Sequence, residues 1–349
     1  MTECHDVIVV GGGPVGLATA IHARLVGLSV LVLEAGRPPA DRACGEGLLP
    51  SGRAALDAMG VRLDAAAGSP FRGIRFIEGQ TEIEADFPAG RRGLGLRRTE
   101  LHRALRQRLE DLGGAVRWGC RVCGMRDGEV LTEEGPHAAV TVIAADGRNS
   151  SIRRLAGWDP VRQRSGRVGL RRHFRLQPWT DRVEVHWADG GEAYVTPVAE
   201  DGVGVALLTS DRRPSFGDLV SRFPKLADRL RTAEPITSVK GATGFGGGAR
   251  SVIGPRLAVV GDAAHCLDPI TGEGLSLGFA DAEAVIRAVF SGDHRGYRRH
   301  VARSRRIPRC IEAGLLGLHR HGRVRRTLFA APGRHRVMSG LLAVHVGGP

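Results

Sequence analysis

The chain has 349 residues, a net charge of +13, 42% hydrophobic and 25% charged residues. That balance excludes a mostly disordered chain and suits one large domain or two fused ones. Fifty glycines without a G-x-y period exclude collagen. Only two of the fifty basic residues are lysine (Lys225 and Lys240), and the positive excess favours an anionic cofactor, substrate or partner.

No basic leader precedes Val7, and the apolar stretches break well before the ~20 residues of a membrane helix. A cytoplasmic protein without a transmembrane segment is expected. Val7–Val10 reads as a strand buried on both faces. It runs into Gly11-Gly12-Gly13-Pro14-Val15-Gly16, a G-x-G-x-x-G turn. A helix from Pro14 to about Leu25 and a second buried strand ending at Glu34 complete a β-α-β unit. Gly11 permits the tight turn, Gly13 lets a pyrophosphate approach the backbone, and Gly16 lets helix and strand pack closely. The helix N-terminus, with Pro14 and Val15, offers free N–H groups to phosphates. Glu34 is placed to accept from a ribose diol.

Six scattered cysteines argue against a disulfide framework, and Cys120-x-x-Cys123 has no second pair at zinc spacing, so no metal is expected. A buried strand over 140–145 ends in Asp146-Gly147-Arg148-Asn149-Ser150-Ser151-Ile152-Arg153. Between 71 and 209 lie alternating runs: 73–77, 81–87, 167–176, 182–187, 193–198 and 203–209. They predict an antiparallel sheet. Gly244–Gly248 reads as a connection, leaving no separate nicotinamide domain. A third buried strand, 257–261, leads into Asp262-Ala263-Ala264-His265, then Pro269-Ile270-Thr271-Gly272-Glu273-Gly274-Leu275 and a helix to about 290. Beyond 290 the chain reads as helical and arginine-rich, with a solvated basic face as the default. Nucleic-acid binding is disfavoured for want of a motif or aromatic interleaving.

Three fingerprints now stand in order: G-x-G-x-x-G, D-G-x-x-S-x-x-R and G-D-A-A-H followed by P-x-x-G-x-G. Over residues 5–290 the chain resembles the FAD-dependent group that joins para-hydroxybenzoate-hydroxylase-type monooxygenases, flavin halogenases and geranylgeranyl reductases. The resemblance implies an α/β fold: a glutathione-reductase-type, Rossmann-like FAD domain with an inserted antiparallel substrate sheet and C-terminal helices. The expected division is 1–70, 98–160 and 250–292 for FAD, 71–97 and 161–249 for substrate, and 293–349 for the helical end. Asp262 would bond the ribityl or pyrophosphate region. Pro269, Gly272 and Gly274 would lie against the isoalloxazine as catalytic residues, their loop's N–H groups stabilising charge on the reduced flavin; Leu275 would bind the cofactor, Arg98 would flank it, and Val122 would meet the adenine. His265 is expected to pack rather than act as a base, and Asp146 to be structural or nicotinamide-related.

Cys44-Gly45-Glu46-Gly47-Leu48 resembles the Cys-Gly-x-Gly-Leu segment of geranylgeranyl-reductase-like enzymes, which makes Cys44 and Glu46 candidate catalytic residues. Tyr194 to Pro197 lacks both the Trp pair of halogenases and the Trp of the reductases' Tyr-x-Trp-x-Phe-Pro. His173, Tyr194 and Thr196 are the candidate pocket residues. The resulting expectation is an FAD monooxygenase taking NAD(P)H and O2 to oxygenate an organic small molecule in specialised metabolism. The alternatives are a C=C reductase or a flavoprotein that oxidises a peptide side chain. The basic end would suit an acidic carrier protein bearing a tethered substrate.

Overall fold

The computed structural model describes residues 4–64, 67–126, 129–159 and 165–346. A run of four apolar residues is stable in a strand only when both faces are covered, and Val7–Val10 is at most 5% exposed. The strand Cys4–Val10 lies in the middle of a seven-stranded sheet. Val7–Val10 runs parallel to Val30–Leu33 on one side and to Thr141–Ala144 on the other. The long strand Gly135–Ala144 divides its outer edge. Its first half pairs antiparallel with Glu129–Thr132, and Val142–Ala144 takes Leu257–Val259 in parallel.

Three helices, Pro14–Leu25, Arg98–Asp111 and Gly274–Ser291, cover one face through Leu17, Ile21, Leu105, Phe279 and Ile286. Burying each such side chain contributes about 1.5–3 kcal/mol before entropy is counted. The first helix starts at Pro14, where a missing N–H costs nothing. It ends at Gly27, whose φ of 85° only glycine adopts cheaply. The carboxyl ends of the parallel strands therefore open on one side, where ligands of such sheets bind.

A second sheet of eight strands stands over that opening. It comprises Gly73–Glu78, Thr81–Asp86, Val168–Arg175, Val183–Ala188, Gly191–Ala199, Gly202–Thr209, Glu234–Pro235 and Lys240–Thr243. The expected all-antiparallel pairing needs one correction: Val183–Trp187 runs parallel to Ile74–Glu78. The two segments are over 100 residues apart, so no hairpin dictates their direction. A three-stranded sheet of Gly47–Leu48, Gly93–Leu96 and Gly68–Phe71 joins the two layers. The expected boundary at 160/161 lies outside the described residues.

Four helices end the chain: His294–Ser304, Arg306–Arg320, Gly322–Ala330 and Arg334–Val346. Their arginines are not all a solvated face. Arg305 is buried against Asp281, and Arg325 is buried against Glu78 and Asp189. Among the described residues no helix is long and apolar enough to cross a membrane.

Candidate active site

The strand carboxyl ends and the second sheet enclose one cavity of about 1840 Å³. Small-molecule pockets are typically about 300–1,000 Å³, so this one has room for a dinucleotide and a second ligand. Its polar end is the glycine turn. At Gly11, with φ 113°, a Cβ would meet Ala145 O at 2.5 Å, and at Gly16 it would meet Gly11 O at 1.8 Å. Gly16 is thus a packing residue that does not line the cavity. A Cβ on Gly13 would meet nothing within 4 Å, because Gly13 faces the open cleft. Pro14 and Val15 line the cleft beside it.

Glu34 holds this turn in place. Gly12 N–H donates to its Oε2 (2.6 Å) and Gly36 N–H to its Oε1 (2.7 Å). Each oxygen keeps a lone pair for a ligand hydroxyl, and Glu34 lines the cleft. No local pattern marks His102, which is buried under the turn with Nε2 2.9 Å from Gly12 O. A carbonyl only accepts, so that nitrogen carries the proton. Burial, opposed by the bond to Gly12, holds the His102 pKa below its ordinary value.

Two further turns complete the polar wall. Asp146 Oδ2 accepts from Ser151 N–H (2.7 Å) and Ile152 N–H (3.3 Å), which supports the structural role expected of it. Its Oδ1 is buried without a partner, and Asp146 lines the cavity. Arg153 is 2% exposed and bridges two fingerprints, donating to Ala263 O (2.8 Å) and Arg148 O (2.9 Å). Asp262 faces the cavity, and burial raises its pKa against the pull of Arg148 and Arg98. Val122 and Arg98 also line the cavity, and Arg98 Nε is buried without a partner.

Open glycine backbone at a helix N-terminus, a carboxylate at the second strand's end and unpartnered polar atoms together fit FAD. Residues 4–209 match the family model described as an FAD binding domain. The chain belongs to that family of FAD-dependent oxidoreductases. The flavoprotein is 28% identical over 323 residues to a menaquinone reductase of Mycolicibacterium smegmatis, spanning 85% of this chain and 79% of the relative. It is 27% identical to a digeranylgeranylglycerophospholipid reductase of Thermoplasma volcanium, spanning 84% and 80%. A solved flavoprotein/dehydrogenase from Cytophaga hutchinsonii shares the fold, with a TM-score of 0.84, 20% identity, and 97% and 93% of the two chains covered.

Elsewhere on the cavity wall, the turn Pro269–Thr271 leads into the long helix at Gly274. Gly272, with φ 70°, and Gly274 both line the cavity, and a Cβ on either would meet nothing within 4 Å. Leu275 and Pro269 also line it. Asp268 fixes this turn: its Oδ1 accepts from Ile270 N–H (3.1 Å) and from Arg167 (2.7 Å). Arg167 also bonds Glu192, whose Oε1 meets His319 Nδ1 at 2.6 Å. Asp268 N–H donates to Glu312 Oε1 (2.6 Å). Two side chains of the helix Arg306–Arg320 therefore reach the turn Pro269–Thr271 through buried polar bonds. None of Arg167, Glu192, Asp268, Glu312 and His319 was expected from sequence. Glu273, inside the turn, points away from the cavity, and burial, partly offset by Arg305, pushes its pKa up to about 8.

Cys44 and Glu46 line the cavity on the opposite wall. Glu46 has a left-handed φ of 58° and is 4% exposed. Arg98 N–H donates to its Oε1 (2.9 Å), and its Oε2 meets His173 Nε2. Arg171 Nη1 lies 3.1 Å from His173 Nδ1. An arginine only donates, so Nδ1 accepts and the proton sits on Nε2, facing Glu46. Glu46 N–H donates to Cys44 Sγ (3.4 Å), and the Thr196 hydroxyl donates to Gly45 O (2.8 Å).

His173 is the correction among the pocket residues: it is fully buried behind Glu46 and does not line the cavity. Strand alternation gave its side, but the side chain of Glu46 fills the space in front of it. Tyr194 and Thr196 do line the cavity. His265 also lines it, with Nε2 3.2 Å from Arg309 Nε. Among the described residues no three His, Cys, Asp or Glu side chains gather as a metal site. Away from the glycine turn the walls are apolar, with Phe71, Phe76, Val185, Trp187, Leu315 and Leu342 facing in.

Proposed function

We propose that this flavoprotein is a reductase that adds hydrogen across a carbon–carbon double bond of an apolar, isoprenoid-type substrate. The observation that carries the reading is the apolar chamber continuous with the flavin-facing turn, walled by the second sheet and the last helices. The names of the menaquinone and digeranylgeranylglycerophospholipid reductases support the same substrate class. Reduced FAD, when bound, supplies a hydride.

This chain's residues do the rest. Phe71, Phe76 and Trp187 exclude water and hold an apolar chain. Cys44, half-buried at the cavity wall, is the proposed proton donor to the second carbon. Glu46 N–H, pointing at its sulfur, steadies the thiolate that donation leaves. The buried Glu46–His173–Arg171 chain holds the Cys44 loop at its distance. The proposed electron donor is NAD(P)H and the proposed compartment the cytoplasm, in keeping with six free thiols.

A monooxygenase using O2 needs the same flavin-facing turn and is the competing outcome. Turnover of an isoprenoid quinone under 18O2 separates the two. A product heavier by two hydrogens and free of 18O is expected, and 18O in the product sinks the reductase reading. Cys44→Ser should slow product formation at least about a hundredfold, the lower end for general-acid catalysis. Flavin reduction by NADPH should stay unchanged in that variant.

A further inference from the structure

The cavity reaches the surface along the last helices. Ile307, Cys310 and Gly314 recur at helical spacing on Arg306–Arg320, forming one stripe. All three are exposed and all three line the cavity, so the stripe is the rim of a mouth. Leu341, on Arg334–Val346, lines the same cavity and is 49% exposed. Val337, one turn earlier, is likewise 49% exposed, and Ile307 is 47% exposed. Isolated exposed apolar residues need no explanation, but a group around the opening of an apolar chamber marks an interaction site.

The rim is also cationic. Arg303 and Arg306 are exposed and line the mouth, and among the described residues neither has an acidic partner within salt-bridge distance. Arg320, Arg323 and Arg336 on the same and neighbouring helices are exposed, likewise without an ion pair among the described residues. By contrast the buried Arg305 and Arg325 are each paired with a carboxylate, Asp281 and Glu78. At the mouth itself the tail therefore presents two cations, Arg303 and Arg306, with further positive charge on the same helices.

We propose that this face docks on an anionic lipid bilayer, with Ile307, Val337 and Leu341 entering the headgroup boundary and the exposed arginines meeting lipid phosphates. Apolar side chains on one face with arginines at the flanks are the composition of interfacial helices, and cations near an anionic lipid surface are drawn to it. A second copy of the chain would bring like charge against like charge. An acidic protein would satisfy the arginines but leave the apolar rim against a polar surface. A bilayer satisfies both and delivers an apolar ligand straight into the chamber. The docking does not depend on which reaction the flavin performs.

The test is flotation of the FAD-loaded full chain with phosphatidylcholine vesicles, with and without phosphatidylglycerol. Recovery with the anionic vesicles at least tenfold above the neutral ones is expected, falling as salt rises. Val337→Glu/Leu341→Glu and, separately, Arg303→Glu/Arg306→Glu should each lower recovery at least tenfold. Flavin content and melting temperature confirm that each variant is folded, and Val337→Glu alone leaves the cavity lining untouched. No flotation with anionic vesicles, or flotation that the Val337→Glu/Leu341→Glu variant retains, overturns the proposal. So does binding of a soluble acidic protein by a chain that binds neither vesicle.

Discussion

Gly13 and Gly16 differ in what their missing side chains protect. At Gly16 the nearest backbone oxygen is 1.8 Å from a Cβ, so any side chain forces helix and strand apart. At Gly13 the space is open and belongs to the ligand. Gly13→Val should therefore give a folded, colourless protein, and Gly16→Val a poorly folded one. Flavin absorbance and circular dichroism on both variants check this, and retained stoichiometric flavin in Gly13→Val would contradict it. Glu273 carries a pH signature. Its carboxyl titrates near 4.5 when free and at about 8 in the fold, because burial disfavours the charge. Between these values the unfolded chain releases a proton that the folded chain keeps. Stability is therefore full below about 4.5, falls as pH rises to about 8, and levels off above. Burial raises Asp262 and Asp268 in the same sense, so the slope is not from Glu273 alone. Glu273→Gln should flatten the fall in apoprotein melting temperature between pH 5 and 8. An unchanged slope would place the charge elsewhere.

The turn Pro269–Thr271 on the cavity wall is held from three directions. Arg167 comes from the residue before a strand of the second sheet, Glu192 from within one, and Glu312 and His319 from a C-terminal helix. Arg167→Met would leave Glu192 and Asp268 buried with one less cation between them, and such losses cost about 3–5 kcal/mol. Arg167→Met/Glu192→Leu should recover part of that cost, which urea unfolding of the set would show. Full additivity would mean that the two side chains do not share the network. These contacts also mark the limit of what local pattern reveals. The glycine turn, the first helix and six of the eight strands of the second sheet are written in short-range periodicity. Cys44, Tyr194 and Thr196 sit on the cavity wall as their motifs imply. The partners Glu46–His173 and Glu192–His319 are each 127 residues apart, and the parallel strands at 74–78 and 183–187 have no turn between them. Side chains that meet only after folding leave no periodic trace. A left-handed glutamate at 46 has none either, because its strain is upheld by Arg98 and His173.

At the scale of the whole molecule, the turn Pro269–Thr271 and the C-terminal helices are one construction. The helices from His294 onward line the chamber, carry Glu312 and His319 of the network that holds that turn, and present Arg303 and Arg306 at the mouth. The edge of Gly135–Ala144 has a consequence for how a cell must make this protein. Val142–Ala144 finds its second neighbour only in Leu257–Val259, more than 110 residues later, and Arg153, which meets Arg148 O locally, gains its second main-chain acceptor only at Ala263. At about 5–20 residues per second of synthesis, the nascent chain spends several seconds or more with an open, wholly apolar strand edge and a guanidinium one main-chain acceptor short. During that interval the half-made sheet is a template for pairing with its neighbours on the same message. The ribosome-bound stage, rather than the finished fold, is where this flavoprotein is most exposed to aggregation.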